Sequence, residues 1–136
     1  MLSKITKNIY LAGSKDITQS ALNGLPITAI LNVASEVPDI SILGVSNYRK
    51  GFEDSAESAL AGANDAVRML LYLIRKGETV LVHCKAGASR SPHVVASALA
   101  NLYGYSYDEA YGYVRDLHPR AIEYSIGQEM REKGLI

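Results

Sequence analysis

The sequence predicts an α/β domain: a central, mostly parallel sheet of about four to five strands flanked by helices. Three observations carry that expectation. Short apolar runs alternate along the chain with segments of helical periodicity. The run "TVLVH" (residues 79–83) has the length and apolar continuity of a strand buried on both faces. A loop of small residues joins it directly to "SPHVVASALANLYG", whose proline suits the first turn of a helix.

Each element follows in order. "NIYLAG" (residues 8–13) reads as a short strand ending in a turn. "DITQSALNG" reads as a short helix, with Asp16 as cap, Gln19 reaching back and Gly24 closing it. "TAILNVAS" (residues 28–35) is apolar and partly β-branched, a buried strand. "SNYRKG" is a weaker strand. In "DSAESALAGANDAVRMLLYLIRKG", Leu60, Ala63, Val67, Leu70, Leu71 and Ile74 recur at helical spacing, and Gly77 stops the helix. In the helix after the loop, Val94, Val95, Ala98, Leu99 and Leu102 form one face, and Gly104 ends it. "SYDEAYGYVRDLHP" carries a capping box, Ser106 with Glu109, and stops at Pro119. A last helix runs from about Tyr124 to Lys133.

The 136 residues fit one domain, residues 1–136, with a single core. The 14 basic and 14 acidic residues cancel, which argues against nucleic acid as a bulk partner. One cysteine cannot form an internal disulfide, and the opening "MLSKITKNIYLAG" lacks the apolar core of a signal peptide. No run approaches the roughly 20 apolar residues of a spanning helix. A cytoplasmic protein with no membrane partner is expected, a monomer being favoured. His93 and His118 have no metal-ligand partner at useful spacing, so no metal site is expected. Tyr103, Tyr105, Tyr107, Tyr111 and Tyr113 divide between core and surface rather than forming a stacking platform, for which a basic groove is missing.

The loop "VLVHCKAGASRSP" holds the sole cysteine. Strand, glycine-containing loop and helix N-terminus together make an anion site, through inward N–H groups and the helix dipole. From Thr79 to Tyr107 the only formal charges are Lys85 and Arg90. That field favours the thiolate of Cys84, which is the nucleophilic form. The planar fork of Arg90 can hold two phosphate oxygens at once. Gly87 permits backbone angles that a Cβ would block. Ser91 can donate a hydrogen bond to the thiolate when it leaves. Lys85, Ala86, Gly87, Ala88, Ser89 and Arg90 are the candidate phosphate-binding positions.

"HCKAGASRS" resembles the signature loop of the cysteine-dependent protein tyrosine phosphatases, His-Cys-x5-Arg-Ser/Thr, and in its finer form that of the dual-specificity phosphatases. "KITKNIYLAGS" and "ITAILNVASE" are similar to the opening and second conserved strand of those domains. The resemblance implies a phosphatase-type strand–P-loop–helix and hydrolysis through a phosphocysteine, with no metal and no cofactor. It implies Cys84 as nucleophile, Arg90 as phosphate ligand and transition-state stabiliser, and His83 as support of the loop and thiolate. It implies Ser91 as an aid to breakdown of the intermediate. It also implies an acid on a loop roughly thirty residues upstream, where Asp54 stands beside Glu53 and Glu57. Capping of the long helix is the other role open to Asp54. Where the family often has Arg-Pro or Arg-Arg ahead of a Pro-Asn segment, this chain reads "HPRAIEYSIGQEM". His118 takes one of those places, and Arg120 is the candidate to support the loop.

The activity expected is hydrolysis of phosphotyrosine and phosphoserine/phosphothreonine on a protein substrate. The same loop chemistry would serve a phosphoinositide phosphatase or an RNA 5′-phosphatase. In another class, a non-catalytic adaptor could bind phosphoproteins without turnover.

Overall fold

A computed structural model describes all 136 residues. The elements run β1 (Leu2–Lys4), β2 (Ile9–Gly13), a 3-10 turn (Ser14–Asp16), α1 (Gln19–Leu22), β3 (Ala29–Ala34), β4 (Ser46–Phe52), α2 (Ala56–Arg75), β5 (Val80–Cys84), α3 (Arg90–Tyr103), α4 (Tyr107–Leu117) and α5 (Ile126–Glu132). One five-stranded sheet has the order β1-β2-β5-β3-β4. All neighbours are parallel except β1, which pairs antiparallel with β2. The chain crosses from edge strand β4 through α2 to the centre of the sheet, so β5 lies between β2 and β3.

Strand alternation sorts the core into two layers. Ile9, Leu11, Val80, Val82 and Cys84 join a cluster of 29 buried residues packed with α2 to α5. Tyr10, Ala12, Ile30 and Leu81 point the other way, into a cluster of eight that α1 and the loops around it cover. Cys84 therefore ends the central strand with its side chain on the helical face. That register places it beside the start of α3.

The long helix α2 buries Ala56, Ala59, Ala63, Ala66, Leu70 and Leu73. This face is shifted from the periodicity reading. Leu60 is 42% exposed, and on α3 Leu102 is 38% exposed, so neither belongs to the core. The small residues pack close to their neighbours, which larger leucines would hold off.

Several sequence expectations are corrected at the termini of elements. Thr18, not Asp16, caps α1, accepting from the Ala21 N–H. Asp16 instead pairs with the N-terminal ammonium. Strand β1 has no apolar pattern of its own, because it is a three-residue edge strand. Ser55, not Asp54, caps α2, accepting from the Ser58 N–H at 3.1 Å. The capping boxes of α4 (Ser106, Glu109) and α5 (Ser125, Gln128) both form.

The cap assignment is testable. Ser55→Ala should lower the free energy of urea unfolding by about 1 kcal/mol, and Asp54→Ala by less than about 0.5 kcal/mol. The reverse order would return the cap to Asp54.

Candidate active site

The loop between β5 and α3 is held by its carbonyl groups. The Lys85 carbonyl accepts from the Ser14 N–H and hydroxyl, both at 2.9 Å. The Ala86 carbonyl faces the Arg120 Nε–H at a long 3.5 Å. The Gly87 carbonyl accepts from His118 Nε2 at 2.8 Å, and the Ala88 carbonyl from the Ile122 N–H at 2.9 Å. Four successive carbonyls thus turn outward. The N–H groups of residues 85–89 donate to no acceptor in the protein. They are left free to bind an anion, at the N-terminus of α3.

Gly87 makes this turn possible. Its φ is +70°, and a Cβ there would lie 2.6 Å from the Gly13 nitrogen. Gly13 answers it from β2, since a Cβ on that residue would lie 2.7 Å from the Ala86 carbonyl oxygen. Two backbones meet where neither can carry a side chain.

Cys84 is buried, with its Sγ 3.1 Å from the Ser91 hydroxyl. His83 Nδ1 donates to the Cys84 carbonyl at 3.0 Å. The histidine therefore braces the backbone at Cys84 and makes no bond to the sulfur, which corrects half of its expected role. Its other nitrogen is buried without a partner. Lys85 and Ala86 are exposed at the rim, Ala88 and Ser89 half-buried, and Gly87 buried.

Arg90 is 3% exposed and its hydrogens can be assigned in turn. A guanidinium has five. One terminal nitrogen donates to Glu36 Oε1 at 2.6 Å and to the Phe52 carbonyl at 2.9 Å. The other donates to Glu36 Oε2 at 2.6 Å. The Nε–H has no partner. What remains is the Nε–H and one terminal hydrogen, which lie along one edge of the fork. That edge can grip two phosphate oxygens. The Arg90 hydrogen bond holds the Glu36 carboxyl down at about 2, against the opposing cost of burial. Arg90 is in turn held protonated first by Glu36, with smaller contributions from Cys84 and Asp54.

Glu36 was missed at the level of sequence. The available signal was an acid just past the carboxyl end of a buried parallel strand, where open α/β sheets place their ligand crevice. Its loop is fastened by Arg49, which bonds the carbonyls of Ala34, Ser35 and Val37 and the Asp39 carboxylate.

Asp54 lies just after β4, exposed and free of any hydrogen bond or ion pair, and its charge reaches Arg90. Glu57 is turned to Lys133 at 3.1 Å. Glu53 is exposed and contributes only its carbonyl, to the Ser55 N–H. No three His, Cys, Asp or Glu side chains cluster as a metal site requires. His118, doubtful from sequence, is a central support: Ser3 bonds its Nδ1 at 2.7 Å while Nε2 holds the loop.

Residues 9–131 match the family model of the dual specificity phosphatase catalytic domain, and the chain belongs to that family. It is 36% identical over 117 residues to the human protein phosphatase Slingshot homolog 2, which covers 84% of this chain and 8% of that protein. It is 29% identical over 120 residues to human dual specificity protein phosphatase 21, covering 86% of this chain and 63% of the relative. The chain thus spans less than two thirds of the length of either. A variant of human DUSP28 superposes with a TM-score of 0.82 at 25% identity, over 97% of this chain and 92% of that one.

Two expectations follow from this geometry. Glu36→Ala should lower kcat/KM for a phosphate monoester by about 10- to 100-fold, as buried donors of Arg90 lose their acceptors, and Glu36→Gln by less. Unchanged kinetics in both would remove Glu36 from the site. Second, burial lowers the pKa of His83, His93 and His118, that of His93 to about 4. The stability this gives is complete above the ordinary value of 6.5 and is lost as pH falls from there toward the folded values. Between pH 7.5 and pH 5 the loss from His93 alone should be on the order of 2 kcal/mol. Urea unfolding at pH 7.5 and pH 5 should show the fall; equal stabilities would mean that the histidines protonate in place.

Proposed function

We propose that this chain is a cysteine-dependent dual-specificity phosphatase, hydrolysing phosphotyrosine and phosphoserine or phosphothreonine on proteins. The observation that carries the reading is the set of unpartnered N–H groups of residues 85–89, in the loop that joins Cys84 to Arg90 and its unpartnered Nε–H. Such an array fits the three equatorial oxygens of a phosphoryl group in flight.

In the first step the Cys84 thiolate attacks phosphorus in line, and the phosphorus–oxygen bond to the substrate breaks. Asp54 gives its proton to the leaving oxygen. Arg90 and the loop N–H groups hold the charge that builds on the equatorial oxygens. In the second step water attacks the phosphocysteine, Asp54 takes back a proton, and the sulfur–phosphorus bond breaks. The departing thiolate accepts a hydrogen bond from Ser91, whose hydroxyl lies 3.1 Å from Sγ. Lys85, exposed at the rim, favours substrates with acidic neighbours. A reducing compartment such as the cytoplasm would keep this sole thiol free.

The test is phosphate release from phosphotyrosine, phosphothreonine and phosphoserine peptides, a phosphoinositide and a triphosphorylated RNA. Cys84→Ser should abolish release while retaining phosphopeptide binding. Asp54→Ala should slow poor leaving groups by about 10²- to 10⁴-fold and good ones far less. Cys84-dependent release from tyrosine and threonine peptides supports the reading. Release only from lipid or RNA would redirect it, and binding without release would favour an adaptor.

A further inference from the structure

Apart from the phosphate loop, helices α2 to α5 line a separate, partly open cavity of about 270 Å³. Ala59 and Ala63 of α2, His93 and Ser97 of α3, Tyr107 of α4 and Met130 of α5 line it. None of the residues at the phosphate site reaches it. Most of the wall is apolar, and its polar features are few.

The state of His93 follows from its hydrogen bonds. It is 5% exposed, and its Nδ1 lies 2.9 Å from the Tyr107 hydroxyl. Tyr107 directs its single hydrogen to Ser125 Oγ at 3.0 Å. Nδ1 must then carry a hydrogen and donate to Tyr107. In the neutral ring, Nε2 is left as a bare acceptor. Burial keeps the ring neutral near pH 7. The only sealed side-chain nitrogens or oxygens without a partner are His83 Nε2 and Arg90 Nε. His93 Nε2 therefore keeps a face open to the cavity and bonds nothing in the protein.

Charge does not recruit the occupant. Arg131, the one charged side chain on the wall, gives both terminal nitrogens to Asp108. Size is also informative: an apolar cavity of roughly 150 Å³ takes up benzene, so this one accommodates two fused rings. We propose that the cavity binds a neutral aromatic molecule of indole size that donates one hydrogen bond to His93 Nε2. The site adjoins the catalytic loop through α3, because the His93 N–H bonds the Ser89 carbonyl at 3.2 Å.

The experiment is an NMR titration of the whole chain with indole and with 1-methylindole, which has the same ring system but no N–H. Indole should shift the amides of His93, Ser97 and Met130 and the Nε2 resonance of His93. 1-Methylindole should bind at least about fivefold more weakly, since it leaves that nitrogen unpaired. Ser97→Met, which fills the cavity, should abolish indole binding and leave phosphate-ester turnover within about twofold. No indole shifts up to its solubility limit, equal affinity for the two probes, or undiminished binding by the Ser97→Met variant would each overturn the proposal. Should that variant fail to fold, the two probes on the unaltered protein still decide the matter.

Discussion

Five successive backbone N–H groups are left without an acceptor in the protein, while four carbonyls of the same loop are each satisfied by other segments. This constraint organises the molecule. An unsatisfied buried carbonyl costs about 1–3 kcal/mol, so a loop of five residues would not keep this shape alone. Its partners come from both ends of the chain. Ser14 follows β2, whereas His118, Arg120 and Ile122 follow α4. Ser3, on the edge strand β1, reaches across to orient His118. A strand of three residues thereby contributes to the shape of a loop more than eighty residues away.

The second organising feature is the fixed orientation of Arg90. A guanidinium at a strand-to-helix junction could turn several edges toward a ligand. Here Glu36 takes one edge, the Phe52 carbonyl takes a further hydrogen, and one edge is left. The two fasteners come from the exits of β3 and β4, adjacent parallel strands whose carboxyl ends open on the same side as Cys84. The crossover through α2 that puts β5 inside the sheet is what brings these exits around the cysteine. Topology, rather than local sequence, assembles the site.

That distinction explains what could be read in advance. The loop pattern, the alternation of strands and helices and the capping box of α4 are local patterns legible in the sequence, whereas the expected Asp16 box does not form and that of α5 emerges only in the structure. Glu36 is fifty-four positions from Arg90 and Ser3 is 115 from His118, and no periodicity relates such pairs. The sequence reading offered Asp54 as the cap of α2, but Asp and Ser both cap well, and the backbone gives the role to Ser55. Leu60 was misplaced because a helix packed through alanines presents a different stripe from the one its largest side chains suggest. His118 was undervalued since its motif departs from the family pattern, although an imidazole can donate to a carbonyl and accept from a hydroxyl at once.

The unequal burial of the Arg90–Glu36 pair has its own physical logic. Arg90 is 3% exposed, while the Glu36 side chain is 49% exposed. Burying both charges would cost more desolvation than their attraction returns. Leaving the carboxylate half in water avoids most of that loss and still neutralises the guanidinium. Neutralisation would matter for the proposed turnover as well as for folding. An unopposed arginine among free N–H groups would bind substrate and inorganic phosphate alike, and uniform binding does not accelerate the chemical step. A carboxylate on the far edge of the fork weakens the hold on any dianion at rest. The two donors on the near edge stay aligned for the equatorial oxygens as charge shifts during transfer. In the proposed reaction Glu36 would thus trade ground-state affinity for orientation, which its position at the solvent boundary permits.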